Sequence, residues 1–96
     1  MQITKSDIKN YMSSSDFSRG QTYFEQSKVT QCLIKLDSYK QVVLSGKVKG
    51  SYGNKYSQSI TIKRINSVTI SGNCTCPVGY NCKHVVAVCL EYALNG

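Results

Sequence analysis

The chain has 96 residues and a formal net charge of +7 at pH 7, which indicates one small basic domain over residues 1–96. It contains no run of about 18 apolar residues, so we expect no membrane-spanning helix. The first residues lack the apolar stretch of a secretory signal, and the five cysteines are an odd number. We therefore expect reduced thiols and a cytoplasmic location (at the nucleoid in a bacterium or archaeon), not a disulfide framework.

The first predicted element is a short helix over residues 6–12, with Thr4 or Ser6 as its N-cap. Three side chains at spacings of three and four residues share one face of this helix: Ile8, Tyr11 and Met12. Such a spacing is typical of a helix that packs one side against a core.

A second helix is predicted from residue 17 to about residue 26, after a break at the three serines 13–15. Asp16 is its expected N-cap. Its apolar stripe contains three aromatic residues: Phe17, Tyr23 and Phe24. Gly20 lies near this stripe, where a missing side chain allows another element to approach closely.

From Val29 the apolar period changes from 3.6 to 2 residues, which predicts β-strands. Apolar positions alternate first within residues 31–36 and, after a turn at 37–40, within residues 42–49. The inward sides of these two strands are expected to carry Cys32, Ile34, Leu36, Val42, Leu44, Gly46 and Val48. The two segments therefore predict neighbouring antiparallel strands.

A hairpin loop at residues 50–54 follows, because Gly53 and Asn54 can both adopt a positive φ. The returning strand places Tyr56, Ile60 and Ile62 on one side. Asn66 begins another turn, and residues 67–70 form a last strand that leads toward the cysteines.

Residues 85–94 predict a C-terminal helix, with a stop at Asn95-Gly96. Its apolar face is expected to contain Val85, Val88, Cys89 and Tyr92. The fold class that we predict is α+β: a small antiparallel sheet of three or four strands, two N-terminal helices and one C-terminal helix.

Residues 74–84 contain three thiols and the only imidazole of the chain: Cys74, Cys76, Cys82 and His84. Cys74 and Cys76 continue a strand, in which side chains two residues apart point to the same side. Cys82 must precede the last helix or cap it, because residues two apart in a helix lie about 200° apart. Three thiolates and one imidazole fill the four positions of a tetrahedral Zn²⁺ site. We therefore predict one structural zinc ion, bound in a site with no open coordination position, that stabilises the fold.

Three other interpretations of these residues remain open: unconnected reduced thiols, an iron–sulfur cluster, and a nucleophilic Cys82 activated by His84. The last of these lacks an orienting partner and an oxyanion site in the sequence nearby. Cys32 and Cys89 lie on apolar faces and are predicted to be core thiols, not ligands.

The pattern Cys74-Thr75-Cys76-Pro77 followed by Cys82-Lys83-His84 resembles the SWIM zinc finger. The upstream segments Phe17-Ser18-Arg19-Gly20, Tyr23-Phe24, Val29 and the hairpin from Val48 to Tyr56 are similar to the domain that precedes this finger in bacterial Swi/Snf-type helicase-like ATPases. The resemblance implies a non-catalytic zinc module that binds DNA or proteins. The chain departs from those ATPases because it contains no Gly-x-x-x-x-Gly-Lys-Ser/Thr motif.

Residues 40–64 carry six cations and no acidic residue, which favours nucleic acid as partner, DNA before RNA. The predicted contacts in this segment are Lys40, Lys47, Lys49, Lys55, Lys63 and Arg64, and Lys83 is added from the metal loop. Tyr39 and Tyr52 lie in loops where a ring can stack on a base. Two alternatives stay open: a sheet face that lysines merely keep hydrated, and a protein-interaction module that uses helix 85–94 or the tyrosines. An enzymatic function is not expected.

Overall fold

A computed structural model describes residues 1–95 and has the predicted α+β architecture. The elements in chain order are α1 (Lys5–Tyr11), α2 (Ser14–Glu25), β1 (Val29–Asp37), β2 (Gln41–Lys49), a short turn (Ser51–Gly53), β3 (Lys55–Ile65), β4 (Ser67–Cys74) and α3 (Lys83–Asn95). The predicted helix stop at Gly96 lies outside the described residues. None of the helices in residues 1–95 is long and apolar enough to cross a membrane.

The four strands form one antiparallel sheet in the order β1-β2-β3-β4, so each strand pairs with its neighbour in sequence. The pairing places residues of like character opposite each other, such as Leu44 opposite Ile60 and Ile62 opposite Ile70. Strand alternation then brings most of the branched apolar residues of β2, β3 and β4 to one inner face, whereas Val43 and Ile65 point outward. The buried side chains of this face are Val42, Leu44, Val48, Ile60, Ile62, Val68 and Ile70.

Helix α3 crosses the inner face of the sheet, α2 packs against α3 from the other side, and α1 contacts both α3 and β4. Every residue from His84 to Leu90 is therefore buried, including Val86 and Ala87, which lie outside the predicted apolar face. The four residues predicted for the apolar face are buried, but the buried surface is wider than predicted because α3 is a central element with neighbours on both sides. Its actual bounds also extend beyond the predicted 85–94 at both ends.

Glycines allow these neighbours to approach α3 closely. A Cβ atom at Gly20 would lie 2.5 Å from the Cβ of Val86, so α2 can contact α3 only without a side chain there. This confirms the close packing predicted for Gly20. On the sheet side, a Cβ at Gly46 would lie 2.6 Å from a methyl group of Val88.

Both N-terminal helices are capped by hydroxyl side chains that precede them. Thr4 Oγ1 accepts the N–H of Asp7 at 3.1 Å, while the carboxylate of Asp7 accepts the N–H of Thr4, which completes a capping box. Ser13, and not Asp16 as predicted, caps α2, because its hydroxyl accepts the N–H of Asp16. Tyr11 also departs from the prediction, since its ring is exposed.

Strand β1 departs most from its predicted pattern. Ile34 and Leu36 are 49% and 51% exposed, and Cys32 is only half-buried. Register shifts interrupt the pairing of β1 with β2 at two places, which breaks the alternation of its side chains. β1 is also an edge strand, so it has one neighbour instead of two.

The loop after β2 contains positive φ angles, but not at both predicted residues. Gly53 has a φ of +77°, whereas Asn54 has a φ of −64° and is extended. Tyr52 takes the second left-handed position, with a φ of 57°. This conformation is unusual for a bulky side chain.

Candidate metal centre

The four predicted ligands lie at the junction between β4 and α3. Cys74 is the last residue of β4, and Cys82 occupies the N-cap of α3, where its carbonyl accepts the N–H of Val86 at 3.1 Å. His84 follows in the first turn of the helix. The predicted placement of Cys82 and His84 is therefore confirmed.

The four ligand atoms lie within 4.8 Å of one another, and all four residues are buried. Nδ1 of His84 is 3.5 Å from Sγ of Cys82 and 3.7 Å from Sγ of Cys74, and the Sγ atoms of Cys76 and Cys82 are 3.6 Å apart. Ligands around a tetrahedral zinc ion would stand roughly 3.5 to 3.8 Å apart, given bond lengths of about 2.3 Å to sulfur and about 2.0 Å to nitrogen. The cluster therefore fits one zinc ion held by three thiolates and one imidazole.

Residues 67–93 match the family model of the SWIM zinc finger. The chain carries a SWIM zinc finger. The matched segment comprises β4, the metal loop and most of α3, so the upstream similarity to helicase-like ATPases stays a prediction. Comparisons with curated proteins and with solved structures gave no match.

Burial sets the protonation of the ligands in the SWIM finger. It lowers the pKa of His84 to about 4, with a further contribution from Lys83, so the imidazole is neutral and free to ligate at neutral pH. Burial also raises the pKa of the Cys82 thiol to about 12, although backbone N–H groups of the first turn of α3 act in the opposite direction. A buried thiolate at this position therefore requires a compensating cation, which Zn²⁺ supplies when bound.

Cys76 receives its own set of hydrogen-bond donors. Burial raises the pKa of its thiol, but hydrogen bonds from the Gly79 backbone, the neighbouring sulfurs and the Val78 backbone outweigh burial and lower it overall. Gly79 has a φ of +83°, which confirms the sharp turn predicted there. The tight loop thus turns its own N–H groups toward one ligand.

Two tyrosine rings hold the imidazole of His84 in place. The ring of Tyr56 lies 4.7 Å from that of His84, tilted by 33°, and the ring of Tyr23 meets it edge-on at 5.2 Å. These rings come from β3 and α2, so elements distant in sequence contact the imidazole ligand. Sequence reasoning placed both tyrosines in the core but missed this role.

Asn81 fastens the metal loop to the free edge of β4, and sequence reasoning also missed it. Its backbone N–H donates to the carbonyl of Gly72 at 2.8 Å, and its side-chain oxygen accepts the N–H of Gly72 at 2.7 Å. Its side-chain nitrogen donates to the carbonyl of Ile70 at 2.9 Å. Asn81 has a φ of 45°, a conformation that asparagine tolerates better than most residues. The residue before Cys82 is thereby fixed in position.

The remaining cysteines lie outside the ligand cluster. Cys89 is completely buried in the core, as predicted. Cys32 is half-buried, and its thiol donates a weak hydrogen bond to the carbonyl of Val88. Burial raises the pKa of both thiols, which keeps them protonated and unreactive.

The predicted nucleic-acid contacts divide into two sets. Four lysines are exposed on the outer face of the sheet, which is the face opposite α3: Lys47, Lys49, Lys55 and Lys63. Lys49 and Lys55 are directly paired at the end of the β2–β3 hairpin, and Lys40 lies in the turn before β2.

Two predicted contacts are placed elsewhere. Arg64 donates to the carboxylate of Asp7 at 3.2 Å and to the carbonyl of Gln2 at 2.9 Å, which ties it to the N-terminal region. The ammonium group of Lys83 lies 5.3 Å from the centre of the Tyr23 ring, on the helical side of the sheet. The structure therefore does not bring Arg64 and Lys83 to the outer face.

Proposed function

We propose that this chain is a non-catalytic module that binds nucleic acid, DNA before RNA, through the outer face of its sheet. The observation that carries this proposal is the set of four exposed lysines on that face, which none of the helices in residues 1–95 covers. Lysine side chains of this kind neutralise phosphate groups without reading the base sequence.

The acidic residues support the proposal by their location. All five lie away from the outer face, in helices or at the inward-facing end of β1: Asp7, Asp16, Glu25, Asp37 and Glu91. Three of the carboxylates are held by cations within 4 Å. Positive charge is therefore concentrated on one side of a small molecule, which would orient a polyanion toward that side.

Hydroxyl groups fill the positions between the lysines. The outer sides of β2, β3 and β4 carry Ser45, Ser57, Ser59, Thr61, Thr69 and Ser71. Short hydroxyl side chains can hydrogen-bond to phosphate and sugar oxygens and leave the surface flat enough for a strand of nucleic acid. A sheet face of this composition is suited to contacts with the sugar-phosphate backbone of a nucleic acid.

Two exposed tyrosines bracket this surface. Tyr39 lies in the turn before β2 and Tyr52 in the turn after it, and the ring of Tyr52 is fully exposed despite its strained backbone. The turn that contains Tyr52 follows directly on the paired Lys49 and Lys55, so a base stacked on the Tyr52 ring would lie near two cations. Because β2 has nine residues, the two turns that carry these tyrosines lie about 30 Å apart along the strand direction.

The test is a pair of matched charge reversals. Lys47→Glu with Lys49→Glu changes the outer face, and Lys5→Glu with Lys9→Glu makes the same change in charge on exposed residues of α1. We expect the first variant to bind DNA at least about tenfold more weakly at low salt and to lose about two units of salt slope. The α1 variant should bind nearly as the unchanged protein does. Equal losses in both variants, or no loss in either, would reject the outer face as the binding surface.

The second candidate function, protein interaction, is supported by the exposed apolar side chains of β1. Leu33, Ile34 and Leu36 are 41–51% exposed on an edge strand, where a partner can pack. Helix α3, one of the contact surfaces considered for this alternative, is buried from His84 to Leu90 and offers no continuous exposed face. Binding that changes little between low and moderate salt, and that is lost in Leu36→Lys, would favour this candidate over nucleic acid.

The proposal also includes the absence of catalysis and a cytoplasmic location. Four protein ligands complete the tetrahedral site, so no position is left for a substrate or for a reactive water molecule. Three thiolate ligands remain competent only where the thiols stay reduced, which favours a reducing compartment.

A further inference from the structure

Gln58 is a polar residue at a position of β3 where strand alternation calls for an apolar one. It points to the inner face between Tyr56 and Ile60 and is 3% exposed. A buried amide costs free energy unless its groups are hydrogen-bonded. The side chain therefore requires an explanation beyond core packing.

The structure provides one hydrogen bond for this amide, and it leads to the metal centre. Nε2 of Gln58 donates to Sγ of Cys74 at 3.3 Å, and the two residues are directly paired across β3 and β4. Oε1 of Gln58 is buried and has no hydrogen-bond partner within the described residues. The contact with Cys74 is thus the hydrogen bond that accounts for an amide at this position.

The three sulfur ligands differ in the source of their hydrogen bonds. Backbone N–H groups of the metal loop act to lower the pKa of Cys76, and those of the first turn of α3 act to lower the pKa of Cys82. Those donors depend on the path of the chain and are independent of side-chain identity. Cys74 instead accepts from the side chain of another strand, so a single substitution can remove this donor and leave the backbone unchanged.

The space around Gln58 is shaped for its amide. Gly46 is the partner of Gln58 on β2, and a Cβ atom at Gly46 would lie 3.0 Å from Oε1 of Gln58. A side chain on β2 would therefore press on the amide and move Nε2 relative to Cys74. Gly46 and Gln58 together define the distance between the donor and the sulfur.

We propose that Gln58 is a positioning residue of the zinc site, which holds Cys74 through an N–H···S hydrogen bond and so governs how tightly the metal is retained. A site with three thiolates carries excess negative charge even around a divalent cation, and a donor on one sulfur reduces that charge. Hydrogen bonds to metal ligands from surrounding residues commonly change metal affinity by 10–100-fold.

The experiment compares Gln58→Met with Ile62→Val, a core substitution on the same face of β3. Methionine keeps the length of the side chain and removes the N–H donor. We expect Gln58→Met to bind zinc about 10–100-fold more weakly in chelator competition. Ile62→Val, which lowers stability without touching the site, should change the affinity much less.

Cobalt substitution supplies a readout that loss of packing would not change. The thiolate-to-Co²⁺ charge-transfer band should move to lower energy in Gln58→Met, because a sulfur without its donor gives up an electron more easily. The band should stay in place in Ile62→Val. If Gln58→Met fails to fold, Gln58→Leu also removes the donor without adding a titratable group, and the same band shift is expected.

An unchanged band in the Gln58 variants would overturn the proposal, whether or not zinc affinity falls, since a fall alone would reflect packing. A zinc affinity of Gln58→Met equal to that of Ile62→Val would overturn the proposal as well. Neither result would bear on nucleic-acid binding, because the proposal concerns the metal site alone.

Discussion

The two faces of the sheet differ in composition and in neighbours. The inner face carries Val, Ile and Leu, is covered by α3, and continues into the metal centre at the end of β4. The outer face carries mainly lysines and hydroxyl residues, together with Val43 and Ile65. Every outward side chain of β3 and β4 is exposed except that of Thr61. Stability therefore depends on one face, and we expect recognition to depend on the other. Substitutions can separate the two.

The largest effect is expected where the inner face meets the metal. Cys76→Ser or His84→Ala removes one of four ligands, and the binding energy of a structural zinc ion is on the order of 10 kcal/mol. That is as large as the total stability of a small domain, so we expect both variants to unfold. Circular dichroism, NMR dispersion and zinc stoichiometry measure the result.

Cys32→Ser is the matched control for the ligand variants, because Cys32 is half-buried and lies outside the cluster. It should stay folded with one zinc ion. A chelated sample of the unchanged protein that kept its full circular dichroism and dispersed spectrum would contradict the dependence of the fold on the metal.

A smaller effect is expected at Asn81, where the metal loop joins the edge of β4. Asn81→Ala removes two side-chain hydrogen bonds and places alanine at a positive φ, and we expect a loss of about 3 kcal/mol in the free energy of unfolding. Asn66 also has a positive φ, 70°, in the turn between β3 and β4. Asn66→Ala should therefore lower the free energy of unfolding by only about 1 kcal/mol. Urea denaturation of the zinc-bound protein measures both losses. Equal losses would show that Asn81 contributes by conformation alone.

The smallest effect is expected from the two thiols that do not bind metal. Cys89→Ala removes one fully buried sulfur atom and should lower the free energy of unfolding by about 1 kcal/mol, and Cys32→Ala by less. Both variants should retain one zinc ion. Loss of the metal from either would show that the ligand set differs from Cys74, Cys76, Cys82 and His84.

Much of the inner face was predictable because strand alternation is a local property. The side chains of β2 and β3 that were assigned inward, such as Leu44 and Ile60, are buried. Alternation failed at β1, where two register shifts and the edge position leave Ile34 and Leu36 exposed. The position of a strand within a sheet is not encoded in its own pattern of residues.

The spacing of cysteines and histidine also predicted the metal centre, because ligands close in sequence must lie close in space. The supporting residues were not predictable in this way. Tyr23, Tyr56 and Gln58 reach the site from α2 and β3, and only the pairing of β3 with β4 brings Gln58 opposite Cys74.

By itself, the sequence of this protein determined its fold class, the alternation of its central strands and the four ligands of its SWIM finger. Each of these follows from spacings of a few residues, because the geometry of a helix or strand fixes the side to which each side chain points. Only the tertiary structure decided that α3 is buried throughout from His84 to Leu90, that Arg64 pairs with Asp7 and that Gln58 contacts Cys74. These features depend on which elements meet across the chain, and that is determined by the packing of the whole domain.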